Sequence, residues 1–249
     1  MQKQLDKGFR LDWSLVGALL LAVIIGLDSS AAFMTLVGQP VVTGILVGAL
    51  SGHIEAGMTA GLLMQLLWLD ASPLGGKLPP DPGPSGFAAA MAAAGAAAGT
   101  DGFAWAGFPL AYGMLWGTIA AYGTMLLPNL IRRFHDRLLP LFDLALEAGD
   151  RGTLKRLFYM GLLSNGFYGI IAGWLPGAAA LLLWPWVSSI PLLVQHANAS
   201  LAVGTLLVLG GWGLARLYAG GSRWIAFTAP IAATLLYLAF AGRLSGVNG

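Results

Sequence analysis

The sequence predicts an all-α polytopic membrane protein: a transmembrane helix bundle with short segments of re-entrant length and a Pro/Gly-broken segment near residues 73–86. Two observations carry the prediction. Only 10% of the 249 residues are charged and 57% are hydrophobic, with a mean hydropathy of +0.75, whereas a soluble domain carries about a quarter charged residues. The few charges are also clustered, leaving apolar runs long enough to cross a bilayer. A chain with so few charges cannot clothe a water-facing surface, so lipid is its main solvent. It reads as one integral membrane domain, residues 1–249.

Trp13 to Leu27 is the first run, preceded by Lys3, Lys7 and Arg10. Ser30-Ala31-Ala32 offers a signal-peptide reading, but the rest of the chain is equally membrane-like, so a retained helix is expected. Val41 to Leu50 and Met58 to Leu69 are apolar and short, the length of re-entrant or buried segments. His53 and Glu55 lie between them and mark a polar hairpin tip. The breaker segment "PLGGKLPPDPGPSG" follows at 73–86, with Lys77 and Asp81 inside it. Its prolines prevent a regular helix and favour extended backbone. At membrane depth such backbone is tolerated only where protein buries it or a watery cavity adjoins it. An ordinary aqueous loop is the competing reading.

An alanine-rich run from Gly86 to Thr100 comes next, interrupted at Asp101. Gly102 to Ile131 is then free of charge, with Pro109 and Pro128 near its ends. Residues 132–156 form a polar connector with six basic residues: Arg132, Arg133, Arg137, Arg151, Lys155 and Arg156. The positive-inside rule puts this connector and the basic N-terminus in the cytoplasm. Its leucines alternate with Asp143, Glu147 and Asp150, as in an interfacial amphipathic helix or a solvated connector. Leu157 to Gln195 exceeds one crossing, and Pro176, Pro185 and Pro191 offer places to turn. Ala197 to Ala215 and Trp224 to Gly242 each suffice to span once.

Glycines recur at intervals of four: Gly44, Gly48 and Gly52; Gly57 and Gly61; Gly113 and Gly117; Gly169, Gly173 and Gly177. This spacing lines one helix face with small residues and lets backbones approach.

Ionisable and amide groups at membrane depth raise functional hypotheses. The candidates are Asp28, Gln65, Asp70, Lys77, Asp81 and Asp101, with His53 and Glu55 at the hairpin tip. Gln65 sits inside the apolar run Leu62 to Leu69. Its amide needs partners from protein, water or ligand, and it matches sugar hydroxyls and backbone carbonyls equally. No cysteine is present, which excludes disulfides and thiolate chemistry. No metal-ligand cluster, phosphate-binding loop or basic-aromatic patch occurs, so metals, cofactors and nucleic acid find no support.

Residues 39–81, "QPVVTGILVGALSGHIEAGMTAGLLMQLLWLDASPLGGKLPPD", resemble the mannose/sorbose-type IIC subunit of the phosphoenolpyruvate-dependent sugar phosphotransferase system. The resemblance rests on Pro40, the four-spaced glycines, Gln65 before Trp68, and the Pro73, Gly75, Pro79, Pro80, Asp81 stretch. Residues 200–233 are similar to the family more loosely. The chain departs from the pattern at Gln39, His53, Lys77 and Pro82-Gly83-Pro84.

The resemblance implies a sugar-translocating subunit in a bacterial cytoplasmic (inner) membrane. It would work with a IID membrane subunit and soluble IIB and IIA phosphocarriers on a hexose-type sugar. The phosphotransfer residues would then lie on the partners, with no catalytic residue and no cofactor here. By the same resemblance Gln65 and Asp81 are sugar contacts and Trp68 a stacking platform. Asp28, Asp70 and Lys77 are further candidates on the intramembrane argument. Two other readings stand beside it: an ion-coupled secondary transporter protonating Asp28, Glu55 or Asp81, and a non-transporting membrane scaffold of the same fold.

Overall fold

A computed structural model describes residues 14–30, 35–68, 80–98 and 107–189. Among these every regular element is helical. The C-terminal spans expected at 197–215 and 224–242 lie outside the described residues, as do Asp70, Lys77 and Asp101.

Helix α1, Ser14–Ser30, turns Ala18, Leu21, Ala22 and Ile25 inward and leaves Val16, Leu20 and Ile24 exposed. An apolar face turned outward is an anomaly in water and the expected surface in lipid. A 3-10 turn at Leu36–Gly38 leads into α2, Pro40–Ser51, with proline at its first position where no amide partner is needed. Gly52 then adopts φ 77°, which ends α2 and reverses the chain into α3, Ile54–Leu67. The polar tip expected at His53 and Glu55 is this reversal. At 12 and 14 residues the two helices reach about 18 and 21 Å, short of the ~30 Å hydrocarbon core. They are a hairpin of re-entrant length.

The hairpin is glycine on glycine. A Cβ added to Gly57 would fall on the carbonyl of Gly44 and within 2.7 Å of Gly48 Cα. One added to Gly61 would come within 3.0 Å of Gly44 Cα. The four-residue glycine spacing therefore reports a real interface. At this distance backbone packs against backbone with no side chain between.

Helix α4, Pro82–Ala97, is the axle of the bundle, and nearly every residue on it is buried. Its alanines follow from that place, because a helix enclosed on all sides is apolar all round, and these neighbours come very close. A Cβ on Gly86 would meet Pro40 Cα at 2.6 Å, and one on Gly113 would meet the Ala89 carbonyl at 2.6 Å.

Pro82 and Pro84 do not belong to a broken segment reaching residue 86. The helix begins at Pro82, because the first turn lacks amide partners and a proline there removes nothing.

Helix α5, Gly107–Glu147, runs 41 residues, about 60 Å, twice the hydrocarbon thickness. Its second half carries the charged stretch beyond the packed bundle, where most residues from Arg132 onward are exposed. Gly149 at φ 67° ends the turn. Asp150 caps α6, Arg151–Gly169, by accepting from the amides of Gly152 (3.0 Å) and Thr153 (3.1 Å). The connector is thus two helix ends and a tight turn.

Helix α6 continues through a π-helical turn, Ile170–Trp174, into α7, Leu175–Ser188. The prolines at 176 and 185 do not turn the chain. A proline ring collides with the carbonyl four residues earlier, and the wider π turn directly before Pro176 gives that carbonyl room. The whole rod, Arg151–Ser188, has mean hydropathy 1.6 over its most apolar window, and the apolar half of α5 reaches 1.3. Both are long and apolar enough to cross a membrane. Pro191 lies outside the described residues.

Candidate functional site

Asp81 stands at the start of α4 and joins three helices. Its Oδ1 accepts the Gly83 amide at 3.0 Å, the N-cap bond that starts the helix. Its Oδ2 accepts the hydroxyl of Tyr168 on α6 at 2.9 Å. Its own amide donates to Thr124 Oγ1 on α5 at 2.9 Å, and Thr124 donates on to the Ala121 carbonyl at 2.5 Å. Tyr168 and Thr124 are buried, at 5% and 1% exposure, while Asp81 is half-buried. A carboxylate at a helix N-terminus also faces the positive end of the helix dipole. Pro128 has no N–H, so the Thr124 carbonyl has no helical amide four residues on.

Gln65 and Trp68 lie three residues apart on one side of α3's last turn. Both are half-buried. Gln65 Oε1 and Trp68 Nε1 are buried atoms without a hydrogen-bond partner among the described residues. Trp116 Nε1 and Trp174 Nε1 are likewise buried without a partner among the described residues. Trp68 packs against the cluster that includes Met64, Ala89 and Met114.

The backbone brings this pair to Asp81's end of the bundle. Gly61 and Gly86 both abut Pro40. At Gly117 of α5 an added Cβ would lie 2.9 Å from the Ser85 carbonyl and 3.0 Å from Met64 Sδ. Gln65 follows Met64, and Asp81 precedes Ser85 by one turn. Around the beginning of α4 a carboxylate, a phenol and a threonine hydroxyl are joined by hydrogen bonds, and the neighbouring α3 carries the amide and the indole N–H at the same end of the bundle.

Asp28 has a different job. Its Oδ1 accepts the amide of Thr35 at 2.5 Å and the Thr35 hydroxyl at 2.6 Å, and its Oδ2 accepts the Gly38 amide at 2.7 Å. It is 5% exposed and pins the 3-10 turn to the end of α1. Asp70 and Lys77 lie outside the described residues.

Sequence reasoning singled out Asp81 and missed its partners. Thr124 and Tyr168 are polar residues inside long apolar runs, the same signal that selected Gln65, and it was there to be read. A second polar joint, between His135 Nε2 and Ser164 Oγ at 2.8 Å, ties α5 to α6. Among the described residues no cluster of three metal-ligating side chains occurs.

Comparison with known proteins agrees with this architecture. The family described as "PTS system sorbose-specific IIC component" matches residues 13–214. No curated protein matches the chain. A solved structure described as "CryoEM Structure of Mannose Transporter ManYZ and Microcin E492 (MceA) complex" contains a chain of similar fold. Its TM-score is 0.57 at 16% identity, covering 94% of this chain and 93% of that one.

Proposed function

Because the chain belongs to the family of sorbose-specific IIC components of the phosphotransferase system, we propose that it forms a sugar path across the membrane together with a IID-type membrane subunit. Soluble IIA and IIB proteins supply the phosphate, and the sugar, a hexose, is phosphorylated as it reaches the cytoplasm. The membrane is a bacterial inner membrane, with the basic N-terminus and the arginine-bearing turn after α5 on the cytoplasmic side.

Within that reading Gln65, Trp68 and Asp81 contact the sugar. The observation that carries this is a pair of buried polar atoms, without partners among the described residues, on a hairpin too short to cross. An amide oxygen and an indole N–H meet a hydroxyl as acceptor and donor. At Asp81 the sugar takes the place of Tyr168 on Oδ2, exchanging one hydroxyl for another. Lys77 and Asp70 contribute from the segment between α3 and α4. Asp28, already occupied by Thr35 and Gly38, acts through the shape of the turn.

The test is phosphoenolpyruvate-dependent uptake of labelled hexoses in cells lacking their own hexose permeases, with this chain co-expressed with IID, IIB and IIA partners. Sugar phosphate that accumulates only with all partners, and falls at least tenfold with Gln65→Ala, supports the reading. Free sugar entering through this chain alone, indifferent to phosphoenolpyruvate, would replace it with a secondary transporter. A stable protein that binds IID and moves no sugar would leave a scaffold.

A further inference from the structure

From the outer trough between α5 and α6, we infer a binding site for one anionic phospholipid. Leu127, Ile131 and Phe134 wall the trough on one side, and Met160, Leu163 and Phe167 on the other, around a volume of about 430 Å³. Ser164 and Tyr168 are its only polar lining residues. The apolar walls suit an acyl chain. The end of the trough selects the headgroup.

Helical register extends both walls into arginines. On α5, Arg137 lies three residues beyond Phe134 and seven beyond Leu130, a further lining residue. On α6, Arg156 lies four residues before Met160 and seven before Leu163. Residues spaced three, four or seven apart share a helix face. The two helices are joined by a tight turn and run antiparallel, so both arginines lie on the turn side of the trough, Arg156 about 8 Å nearer the turn than Arg137. Both are exposed, and no carboxylate among the described residues forms an ion pair with either. Helix α6 carries no acid at all. Asp136, the nearest acid in sequence, projects about 100° away from Arg137 around α5.

Length agrees with charge. Leu127 to Arg137 is about 15 Å of helix and Phe167 to Arg156 about 16 Å, each close to half the ~30 Å hydrocarbon core. The trough is thus about one leaflet deep, and its arginines lie toward the charged turn, within a side chain's reach of a headgroup there. Arginine binds phosphate through paired N–H donors. The glycerol headgroup of phosphatidylglycerol adds hydroxyls that the same donors reach, whereas the ammonium of phosphatidylethanolamine would sit beside two cations. At the deep end the tail rests against Tyr168, whose hydroxyl is on Asp81. Occupancy of the trough thus bears on the polar joint without touching the sugar. The inference does not depend on what is transported.

The experiment is native mass spectrometry of the full chain in detergent, with equimolar phosphatidylglycerol and phosphatidylethanolamine of matched acyl chains. We expect a single retained phosphatidylglycerol. Arg137→Gln with Arg156→Gln should weaken it about 30-fold, from roughly fivefold per basic residue facing an anionic lipid. The charge-matched pair Arg132→Gln with Arg151→Gln should leave it nearly unchanged. Leu163→Trp, which fills the trough, should displace the lipid with both arginines intact. Equal loss in the two arginine pairs would reduce the effect to diffuse charge and overturn the site. Absence of a preference for phosphatidylglycerol, or its retention in Leu163→Trp, would do the same. So would a photo-crosslinker at Phe167 that captures a protein chain in native membranes, which would make the trough a protein interface.

Discussion

The bond between Tyr168 and Asp81 can be isolated by a double-mutant cycle. Tyr168→Phe removes one hydroxyl from a buried position and leaves the ring packing in place. Asp81→Asn keeps the helix cap, since asparagine and aspartate cap equally well. It turns one carboxylate oxygen into an amide NH₂, which cannot accept the phenol O–H and can only donate to the phenol oxygen. Tyr168→Phe therefore loses the bond outright, whereas Asp81→Asn exchanges a charge-assisted bond for a weaker neutral one. A hydrogen bond to an ionised group contributes about 1.5–3 kcal/mol. Tyr168→Phe should lose about that amount, Asp81→Asn about half of it, and the double variant little more than Tyr168→Phe, a coupling energy of about 1 kcal/mol in denaturant unfolding of the purified protein. Transport should move the other way. If sugar replaces the phenol on Oδ2, Tyr168→Phe removes a competitor and lowers KM for uptake while it lowers stability. Additivity of the two variants within about 0.5 kcal/mol would refute the bond as a coupled joint. A KM that stays unchanged or rises would refute the exchange.

Three further outcomes follow from the packing and the caps. Gly57→Ala and Gly169→Ala place a methyl group on the carbonyls of Gly44 and Ala22. Each should destabilise by at least the 1–3 kcal/mol typical of overpacking, read as lost monodisperse protein in detergent. Gly52→Ala meets nothing within 4 Å but sits at φ 77°, so it should cost about 1–2 kcal/mol through backbone conformation alone, read as a smaller shift in the same assay. At Asp150 the hydrogen bond from the Thr153 side chain, then that from its amide, hold the carboxyl below the usual carboxylate range. A depressed folded-state pKa stabilises above the unfolded value near 3.9 and loses that contribution as pH falls through the folded one. Acidification below about pH 4 should fray the start of α6 by circular dichroism, and Asp150→Asn should flatten that pH dependence.

The sequence made some of this architecture readable and hid the rest for physical reasons. Charge-free runs located the apolar parts of α5 and of the α6–α7 rod because lipid excludes charge wherever it lies along the chain. The glycine spacing announced close helix packing, and the polar tip at His53 and Glu55 announced the α2–α3 reversal, because both signals are local and lie around a two-residue turn. Prolines misled in both directions. Pro82 and Pro84 look like breakers, yet at a helix start they fit, and only the position of Asp81 as cap decides that. Pro176 and Pro185 look like turns, yet a π turn absorbs the first within a continuous rod. The partners of Asp81 lie 43 and 87 residues away. No local pattern relates Thr124 and Tyr168 to an aspartate that far off, because their meeting is set by how α5 and α6 pack on α4.

That packing separates two kinds of contact. Where the hairpin meets itself and α4, glycine and alanine put backbone against backbone, so any change of distance is met at once by steric repulsion. The seam has a single register. Where α4 meets α5 and α6, the contact at its first residue is a set of hydroxyls and a carboxylate, whose partners can be exchanged for those of a ligand without moving the backbone. A path for a polyol through an apolar bundle needs both properties: walls that do not collapse when the ligand leaves, and polar groups that find protein partners when it does. Tyr168 supplies such a partner to Asp81. Gln65 and Trp68 have none among the described residues. The difference predicts an order of events. On the proposal that these residues contact the sugar, Gln65 and Trp68 gain a bond on contact whereas Asp81 must give one up, so the expected order is Gln65 and Trp68 first and Asp81 second. Gln65→Ala should therefore slow sugar capture, and Asp81→Asn should slow the later step with capture intact. Rapid-mixing measurements of sugar binding and of its onward transfer separate the two. Equal slowing of capture in both variants would overturn the order.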